Sequence, residues 1–596
     1  MLVDLLDPFL LLKSSISVIL QYWHLFIYLL LMQCAFAALT AWFMSDVLMD
    51  REALSILSFL GGILGLTLFC LCIVLLKIKP TLTLGLATTI VSFLLLIRLR
   101  RYLFSLASSK LVGFSVFFLF ILLLRLIFIQ GLLVPPYADS VIHLQIVQDF
   151  LNPDRPPQAF FHLSLDLGRY YHFGFHALAA WLSGATSTAP EQTILLLGQY
   201  FQALAILAVY PLVRISSKDS LSAWAVMIVA GLILSIPAYT SNWGKYPAIA
   251  SLTGISFGLS LLLIYAKNKF TFSNKYIWLI GLVILTAACL HSRSLFIFLL
   301  AALINFLYTR SGFIFEKLEI KDSDENRNIV IVLWIVMLLT YILGLDFSAS
   351  AFFYFLIFLF LILTVFAFSF NFVQVWILIT FVLAMGINLL LPMPISFLPI
   401  RYTRLFDRPF LIIFFYLPAS ILIWLGLEGG INLLIKNNFE FWRRWLFIGV
   451  LTFGIVNAVF IQNHLPSDCC IFMNDEDLFS FHWMKGNIPK GALVGIAATG
   501  KPGNLQPADG GAWIEIFTGI PTRKISLFSD IKKYNLDWNI DFVHEGFRLC
   551  KEGITHFYVD NLEHSFDEYD LIKVGAQYQF GLGNVRIYNL ICNDLQ

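Results

Sequence analysis

The feature that most constrains this chain is a series of long apolar stretches that contain almost no charged residues and recur as far as residue 461. A helix needs about 20 mainly apolar residues to cross the hydrocarbon core of a bilayer. The stretches that meet or approach this length are Ile16–Phe43, Ala53–Leu76, Leu111–Val134, Thr193–Val213, Leu221–Ala238, Ala248–Ala266, Ile277–Leu290, Leu295–Tyr308, Ile329–Leu345, Ala351–Phe368, Val373–Leu391, Phe410–Leu427 and Trp445–Ile461. The sequence therefore predicts a polytopic α-helical membrane protein with about 13 spanning helices.

The composition of the whole chain indicates the same class of protein. Of its 596 residues, 59% are hydrophobic and 13% are charged, whereas soluble domains have about 45–50% apolar and about 25% charged residues. The 39 Lys and Arg nearly balance the 37 Asp and Glu, so no basic excess indicates nucleic acid as a partner. The eight Cys include no CxxC pair, which argues against a disulfide scaffold or a zinc site.

The distribution of basic residues predicts how the chain is oriented. They cluster at Arg98–Lys110, Arg214–Lys218, Lys267–Lys275, Arg310–Arg327 and Lys436–Arg444. Short cytoplasmic loops carry an excess of Lys and Arg, so we assign these loops to the cytoplasm. The external side then holds Pro135–Phe175, Tyr239–Tyr246, His291–Arg293, Pro392–Pro409 and Gln462–Gln596. The alternation requires the short apolar segment Thr81–Ile97 to be re-entrant or interfacial, because Lys77 and Arg98 would otherwise fall on opposite sides.

After Gln462 the sequence changes to one rich in charges, Gly, Pro and Asn, with no apolar run long enough to span. Strand-like and helix-like segments alternate there, which predicts a soluble α/β domain. The expected elements are helices at Asp475–Gly486 and near Asp541–Glu552, and strands at Ala492–Ala498, His556–Asp560, Leu571–Ala576 and Asn584–Leu590. The chain thus divides into N-terminal membrane helices (1–110), a membrane core (111–461) and an extracytoplasmic domain (462–596).

The first external loop carries the most conspicuous acid of the predicted external face. Pro135 and Pro136 end the preceding helix, and Asp139 and His143 follow at a spacing of four, on one face of the next helix. A carboxylate with a histidine one turn away is suited to general-base chemistry. The alternative is that Asp139 only caps the helix from Ser140. Further acids in the same loop are Asp149, Asp154 and Asp166.

Cationic residues recur on the same predicted face, against the topological bias. They are Lys245, Arg293 beside His291, Arg401 and Arg404. Such residues require a local anionic partner, and the arginine fork matches phosphate oxygens. The alternative is that the arginines reach lipid headgroups or pair with Asp407. A further arginine, Arg125, lies within an apolar run and is expected to face the helix bundle.

Aromatic and histidine side chains complete the predicted external face. Tyr170 and Trp513 are aromatic residues of this face, and His172 and His176 lie four residues apart. The two histidines could hold a divalent metal together with His143. The HxxxH spacing lacks the Glu of a zinc hydrolase motif, which argues against a metal. Metal binding therefore stays an open alternative. The sequence contains no Walker loop and no GxSxG motif, and no nucleotide or other cofactor is implied.

Three short motifs together resemble the GT-C superfamily of integral-membrane glycosyltransferases, which take sugars from polyprenyl-phosphate donors. They are Pro135-Pro136…Asp139…His143 after a spanning helix, Tyr170–His176, and the His-Ser-Arg loop at His291. The segment Phe481–Pro489 before a strand is similar to the opening of the extracytoplasmic domains of that superfamily. An acid of the first external loop is the catalytic base there, which corresponds to Asp139. A second acid directly beside it is absent here, since the neighbours are Ala138 and Ser140.

The resemblance implies an inverting glycosyltransferase of the plasma (inner) membrane that acts in cell-envelope polysaccharide biosynthesis. Asp139 and His143 would be catalytic, and Arg401, Arg404, Lys245, Arg293 and His291 would bind the donor phosphate. Tyr170, His172, His176 and Trp513 would bind a glycan, lipid or protein acceptor. Two other classes are a non-catalytic assembly scaffold or polymerase-like protein, and a secondary transporter. A transporter would place charges near the midplane of its spans.

Overall fold

The computed structural model describes residues 8–45, 50–105, 110–152, 172–217, 219–267, 274–303, 408–435, 438–499, 505–526, 542–560, 562 and 565–592. The predicted spans Ile329–Leu345, Ala351–Phe368 and Val373–Leu391 lie outside the described residues, as does the end of Leu295–Tyr308. The count of about 13 spans is therefore neither met nor contradicted. Within the described ranges, eight helices are long and apolar enough to cross a membrane.

Among the described residues, the membrane part contains fifteen α-helices of very different length. In chain order they are α1 Pro8–Gln21, α2 Trp23–Phe43, α3 Arg51–Leu75, α4 Leu82–Ser105, α5 Leu111–Leu126, α6 Asp139–Leu151, α7 Gly174–Thr186, α8 Pro190–Leu207, α9 Val209–Ser217, α10 Ser220–Ile228, α11 Tyr246–Lys267, α12 Asn274–Leu290, α13 Ser294–Leu303, α14 Arg408–Leu434 and α15 Phe439–Val456. A π-helical turn extends α10 through Val229–Ile233, and another extends α15 through Asn457–Ile461. The predicted span Leu221–Ala238 therefore stops short, at Ile233.

Small residues allow the first long helices to pack closely. A Cβ atom on Gly61 would lie 2.4 Å from Thr40 Cγ2, and one on Gly62 would lie 2.3 Å from the carbonyl oxygen of Gln33. The backbone of α3 therefore contacts the backbone of α2 directly at Gly62, and it contacts the side chain of Thr40 at Gly61. Lipid tails are as apolar as leucine, so close van der Waals contact of this kind is what holds membrane helices together.

Helix α4 corrects the prediction for Thr81–Ile97. The structure forms one helix of 24 residues that continues through Arg98 to Ser105, a length of about 36 Å. Its N-terminus lies against the end of α7, where a Cβ atom on Gly85 would be 2.7 Å from the carbonyl oxygen of Ala185. The basic residues at its C-terminus made the apolar run look too short, but they continue the helix. The segment is thus a candidate span rather than a re-entrant loop. Lys77 and Arg98 then lie towards opposite ends of α4, so the requirement that they share one side of the membrane is not met.

One end of the bundle carries a set of ion pairs between helix termini. Arg443, at the start of α15, pairs with Asp219 and with Glu428. At the same end Lys110 pairs with Glu52 at 2.6 Å, and Arg214 pairs with Asp50. The basic partners belong to the loops that the sequence assigns to the cytoplasm.

The C-terminal domain contains a mixed sheet covered by short helices. Its helices are α16 Asp475–Asn487, α17 Ile514–Thr518, α18 Phe542–Lys551 and α19 Glu568–Lys573, and its strands are β1 Val494–Thr499, β2 Gln506–Pro507, β3 Thr522–Ser526, β4 His556–Val559, β5 Ala576–Leu582 and β6 Val585–Leu590. The strand order is β2-β1-β4-β6-β5, with β3 also paired to β1. Strand β1 is parallel to β3 and β4, whereas β4, β6 and β5 are antiparallel. The predicted α/β character of this region is confirmed.

One predicted strand of the domain is wrong. Half of Leu571–Ala576 belongs to helix α19, which ends at Lys573, and strand β5 begins only at Ala576. The reason is the cap at Asp567, whose side chain accepts a hydrogen bond from the amide of Tyr569 at 2.8 Å. This Asp satisfies an amide that the first helical turn leaves unpaired, and it therefore favours the helix. A disulfide bond joins Cys550, near the end of α18, to Cys592.

The domain contacts the end of the bundle opposite the ion pairs. The amide of Tyr137 donates a hydrogen bond to the carbonyl oxygen of Cys470 at 2.9 Å, and the rings of Tyr137 and Phe472 are 5.8 Å apart. The amide of Ser467 donates to Asn242 Oδ1 at 2.7 Å. The loop before α6, the turn before α11 and the C-terminal domain therefore meet at one end of the molecule.

Candidate functional site

Asp139 forms an ion pair with Lys245 at the end of the bundle that carries the domain. Asp139 is the first residue of α6, and Ala138 occupies the capping position without a side-chain bond. The alternative prediction, that Asp139 is the helix cap, is therefore wrong. The side chains of Asp139 and Lys245 are 28% and 32% exposed. Both groups are accessible to a ligand.

A glycine turn holds Lys245 beside α6. Gly244 has a φ of +60°, in the left-handed region, and a Cβ atom on it would lie 2.4 Å from Ser140 Oγ. A residue with a side chain would thus be strained and would clash with α6. The carbonyl oxygen of Gly244 accepts a hydrogen bond from His143 Nε2 at 2.9 Å. The turn is thus held against α6 by two contacts of Gly244, one with Ser140 and one with His143.

His143 connects this turn to α7 through a second histidine. Its Nδ1 lies 2.9 Å from His176 Nε2, and the side chains of both histidines are buried. Because Nε2 of His143 donates to a carbonyl, its Nδ1 accepts the proton of His176 when the ring is neutral. Burial lowers the pKa of His143 to about 4, against a smaller opposing effect of the Asp139 charge. His143 is therefore neutral at pH 7 and positions the turn that carries Lys245.

Two further histidines lie at the same end. The rings of His172 and His291 are 4.3 Å apart, and His291 stacks on Phe410 at 4.7 Å. Burial lowers the pKa of both histidines well below the ordinary value, and the positive charges of Lys245 and Arg293 act in the same direction. Two cationic side chains, Lys245 and Arg293, therefore lie close to this pair of histidines.

The described residues do not support the metal alternative. They contain no group of three or more His, Cys, Asp or Glu side chains arranged to hold a metal ion. The predicted site is nevertheless partly assembled, since Asp139, His143, His172, His176, Lys245, His291 and Arg293 lie in the described segments at this end. Arg401, Arg404 and Tyr170, as well as Asp154 and Asp166, lie outside the described residues.

The prediction for Trp513 is wrong in this structure. Its side chain is fully buried in the hydrophobic core and has no surface on which a sugar could stack. The preceding Asp509 caps the short 3₁₀ turn Gly510–Trp513 by accepting a hydrogen bond from the amide of Gly511 at 3.0 Å. This turn directs the indole inward. An aromatic residue beside a Gly-rich loop looks exposed in the sequence because the inward turn is not visible there.

Gly244 is a residue of the site that the sequence did not predict. The only local signal is the run Asn242-Trp243-Gly244-Lys245, in which Gly indicates a turn. The sequence did not predict Asn242 either, whose side chain connects this turn to the domain at Ser467. Both roles depend on partners that are far away in the chain.

Comparison with known proteins gives one structural neighbour to report. No protein-family model matches the chain, and no curated protein matches it. Among solved structures, the chain is similar to the single-particle cryo-EM structure of arabinofuranosyltransferase AftD from mycobacteria, at 13% sequence identity and a TM-score of 0.42. The match covers 82% of this chain and 40% of that chain, so the chain spans less than half the length of its neighbour. A likeness of this size defines neither a family nor an activity for the chain.

Proposed function

We propose that this polytopic membrane protein is an inverting glycosyltransferase that transfers a sugar from a polyprenyl-phosphate donor to an acceptor outside the cytoplasm. The observation that carries the proposal is the accessible ion pair between Asp139 and Lys245, with a second cationic side chain, Arg293, at the same end of the bundle. The acceptor would be a glycan, a lipid or a protein. The location would be the plasma membrane, with the C-terminal domain outside.

The chemistry requires a base and a stabilised leaving group. Asp139 takes the proton of the acceptor hydroxyl group while the oxygen of that hydroxyl group attacks the anomeric carbon of the donor sugar. The bond from that carbon to the phosphate oxygen breaks, and the negative charge on the departing phosphate is stabilised by Lys245 and Arg293. Attack from the side opposite the phosphate inverts the anomeric configuration. Arg401 and Arg404 remain predicted partners of the phosphate.

The ion pair also suggests how the base is released. Without donor, the ammonium group of Lys245 neutralises the carboxylate of Asp139. A donor phosphate competes for the same ammonium group, because charge-assisted hydrogen bonds to phosphate are strong. The carboxylate is then free to accept a proton. Donor binding thus precedes activation of the acceptor in this proposal.

Two observations support an external location of the site. The basic residues Lys110, Arg214 and Arg443 lie at the other end of the bundle. Short loops rich in Lys and Arg usually stay in the cytoplasm, so the site would lie on the opposite side of the membrane. The disulfide bond Cys550–Cys592 is of a kind that persists in oxidising compartments. A nucleotide-sugar donor is scarce in such a compartment, which favours a lipid-linked donor.

The test is a transfer assay with the purified full-length chain in proteoliposomes. Radiolabelled polyprenyl-phosphate pentoses and hexoses are supplied with cell-envelope glycans, and nucleotide sugars serve as the control donors. We expect label in the glycan and release of polyprenyl phosphate with a lipid-linked donor only. Lys245→Met should raise the KM for this donor by about 10- to 100-fold, which corresponds to one charge-assisted hydrogen bond. The exposed Lys490 in the C-terminal domain provides the matched control, Lys490→Met.

A negative result would have a defined meaning. If no lipid-linked donor loses its sugar, and Lys245→Met binds the donors as the unchanged protein does, the catalytic proposal fails. The polar end of the bundle would then belong to an assembly scaffold, and its docked domain would be a binding module.

A further inference from the structure

A cavity of about 190 Å³ lies where the membrane bundle meets the linker to the C-terminal domain. Its walls come from helices α5 and α8, from the turn that ends at Asn242, and from the linker Gln462–Ser467. Ligand pockets for drug-sized molecules have about 300–1,000 Å³. This cavity is therefore suited to a small headgroup or ion and not to a complete lipid-linked sugar.

Arg125 is the only charged side chain, apart from a histidine, among the residues that line the cavity. It is 2% exposed, and its guanidinium group donates one hydrogen bond, from Nη2 to the carbonyl oxygen of Gly231 at 3.0 Å. Its Nε has no partner. Among the described residues, no carboxylate forms an ion pair with Arg125, and none lines the cavity.

A buried guanidinium group without a counter-ion is unfavourable. Arginine stays protonated in proteins, and the effective cost of burying an unpaired ion is several kcal/mol. Arg125 lies four residues from the end of the candidate span Leu111–Ile129, so it is about 6 Å from that end of the helix. An anion that enters from the domain side could offset this cost.

The neighbours of Arg125 add hydrogen-bonding groups to the cavity. Gln199 and Gln202 line it, are fully buried, and have side-chain oxygens without partners. His464 closes the linker side, with its Nε2 directed at the carbonyl oxygen of Ala458. An anion that also carries hydroxyl groups would satisfy both the guanidinium donors and the unpaired amide oxygens.

We infer that the cavity at Arg125 is a binding site for one phosphate group, separate from the site at Asp139. The phosphate is either that of a glycerophospholipid headgroup or a free phosphate ion. The inference does not depend on the proposed transferase activity, since it involves neither Asp139 nor Lys245. Five cavity residues belong to the linker, namely Gln462, Asn463, His464, Leu465 and Ser467. An occupied site would therefore hold the domain more firmly on the bundle.

The test measures thermal unfolding of the purified full-length chain in a neutral detergent with three probes. They are inorganic phosphate, short-chain phosphatidylglycerol, and phosphatidylcholine of the same chain length. We expect a saturable rise in Tm with one of the first two probes and a smaller rise with phosphatidylcholine. Phosphatidylglycerol alone would identify a lipid headgroup, and inorganic phosphate would identify a free ion.

Two cavity variants and one control decide whether Arg125 binds the effective probe. Arg125→Gln should raise the Kd of the effective probe at least 10-fold, whereas Arg444→Gln, an exposed arginine at the other end of the bundle, should leave it unchanged. Gln202→Glu places a carboxylate in the cavity and should abolish the response to the probe. If Arg125→Gln does not fold, Gln202→Glu decides.

The contrary result is equally clear. A Tm that does not respond to either anion, or an equal response in Arg125→Gln or Gln202→Glu, would overturn the inference. Arg125 would then serve only to hold the carbonyl of Gly231 in the π-helical turn.

Discussion

At the scale of residues, the site depends on how Lys245 reaches Asp139. The two are 106 positions apart in the chain, and the contact is set by Gly244, whose carbonyl is held by His143. The histidine pair of α6 and α7 then fixes the position of α6 relative to the bundle. The carboxylate itself stays accessible, so its chemistry is separate from the buried groups that hold it.

Replacement of Gly244 should separate the ion pair. Gly244→Ala forces a side chain into the left-handed region, which costs about 1–2 kcal/mol, and brings its Cβ within 2.4 Å of Ser140 Oγ. We expect a Tm several degrees lower and a clear loss of donor affinity. In Gly281→Ala, on α12, the new Cβ has no atom within 4 Å, so its Tm and affinity should not fall. Equal behaviour of the two variants would show that the turn does not position Lys245.

The sequence predicted the members of the site better than their contacts. Asp139, His143 and Lys245 stand out because polar residues are rare in an apolar chain. That Lys245 pairs with Asp139, and that His143 pairs with His176, depends on how loops pack at the end of the bundle. The prediction for Trp513 was wrong because a local turn decides whether an aromatic side chain points to the core or to solvent.

At the scale of elements, the C-terminal domain contains an unusual group of buried acids between α16 and the sheet. Asp477 accepts a hydrogen bond from the Tyr558 hydroxyl, Asp509 accepts one from Ser565 Oγ at 2.7 Å, and Asp560 accepts one from the amide of Gly510 at 2.9 Å. Burial raises the pKa of Asp477 to about 6. Burial and the charge of Asp560 raise the pKa of Asp509 well above its ordinary value.

These pKa values give a pH dependence with a definite sign. An unfolded Asp releases its proton near pH 4, whereas folded Asp477 keeps it to about pH 6. In this window the folded domain binds more protons, so its free energy of unfolding falls as the pH rises, by about 3 kcal/mol from Asp477. Hydrogen exchange in β1 of the full-length chain, corrected for the intrinsic rate, should show decreasing protection from pH 4 to pH 8.

A variant of Asp509 tests the contribution of the second acid to this dependence. Asp509→Asn removes a fully buried group that can ionise and keeps an oxygen that can cap the turn, so protection should depend less on pH. The exposed Asp475 of α16 offers the control Asp475→Asn, which should keep the dependence of the unchanged protein. Protection that increases with pH in the unchanged protein would contradict the argument.

Helices were predictable from the sequence where a long apolar run was the dominant feature. Apolar runs located α2, α3, α8, α11 and α15, because a helix satisfies the hydrogen bonds of its own backbone inside a bilayer. Basic residues hid the end of α4, since a helix continues through charges once it reaches the headgroup region. In the domain, the cap at Asp567 overrode an apolar pattern that indicated a strand.

At the scale of the whole molecule, the charges divide between two ends. Ion pairs of Arg443, Arg214 and Lys110 join helix termini at one end. The ion pair of Asp139, the histidines and the domain occupy the other end. This division is expected of a protein with its basic loops in the cytoplasm and its chemistry outside.

Cysteine labelling tests this orientation directly. In a background where the exposed Cys72 and Cys469 are replaced by Ser, Lys490→Cys marks the domain and Arg444→Cys marks the other end. An impermeant thiol reagent added to intact cells should label the cysteine at 490 and, only after lysis, the one at 444. Labelling of position 444 in intact cells would reverse the orientation.

The most direct test of the account is sugar transfer by Asp139→Asn in proteoliposomes. The amide cannot take a proton, so turnover should fall by about 10²–10⁴-fold. The Tm should change little, because partly exposed ion pairs contribute about 0–1 kcal/mol. Asp149→Asn, on the same helix about 15 Å away, is the matched control and should keep its turnover. Near-normal turnover of Asp139→Asn, or an equal loss in Asp149→Asn, would contradict the assignment of Asp139 as the base.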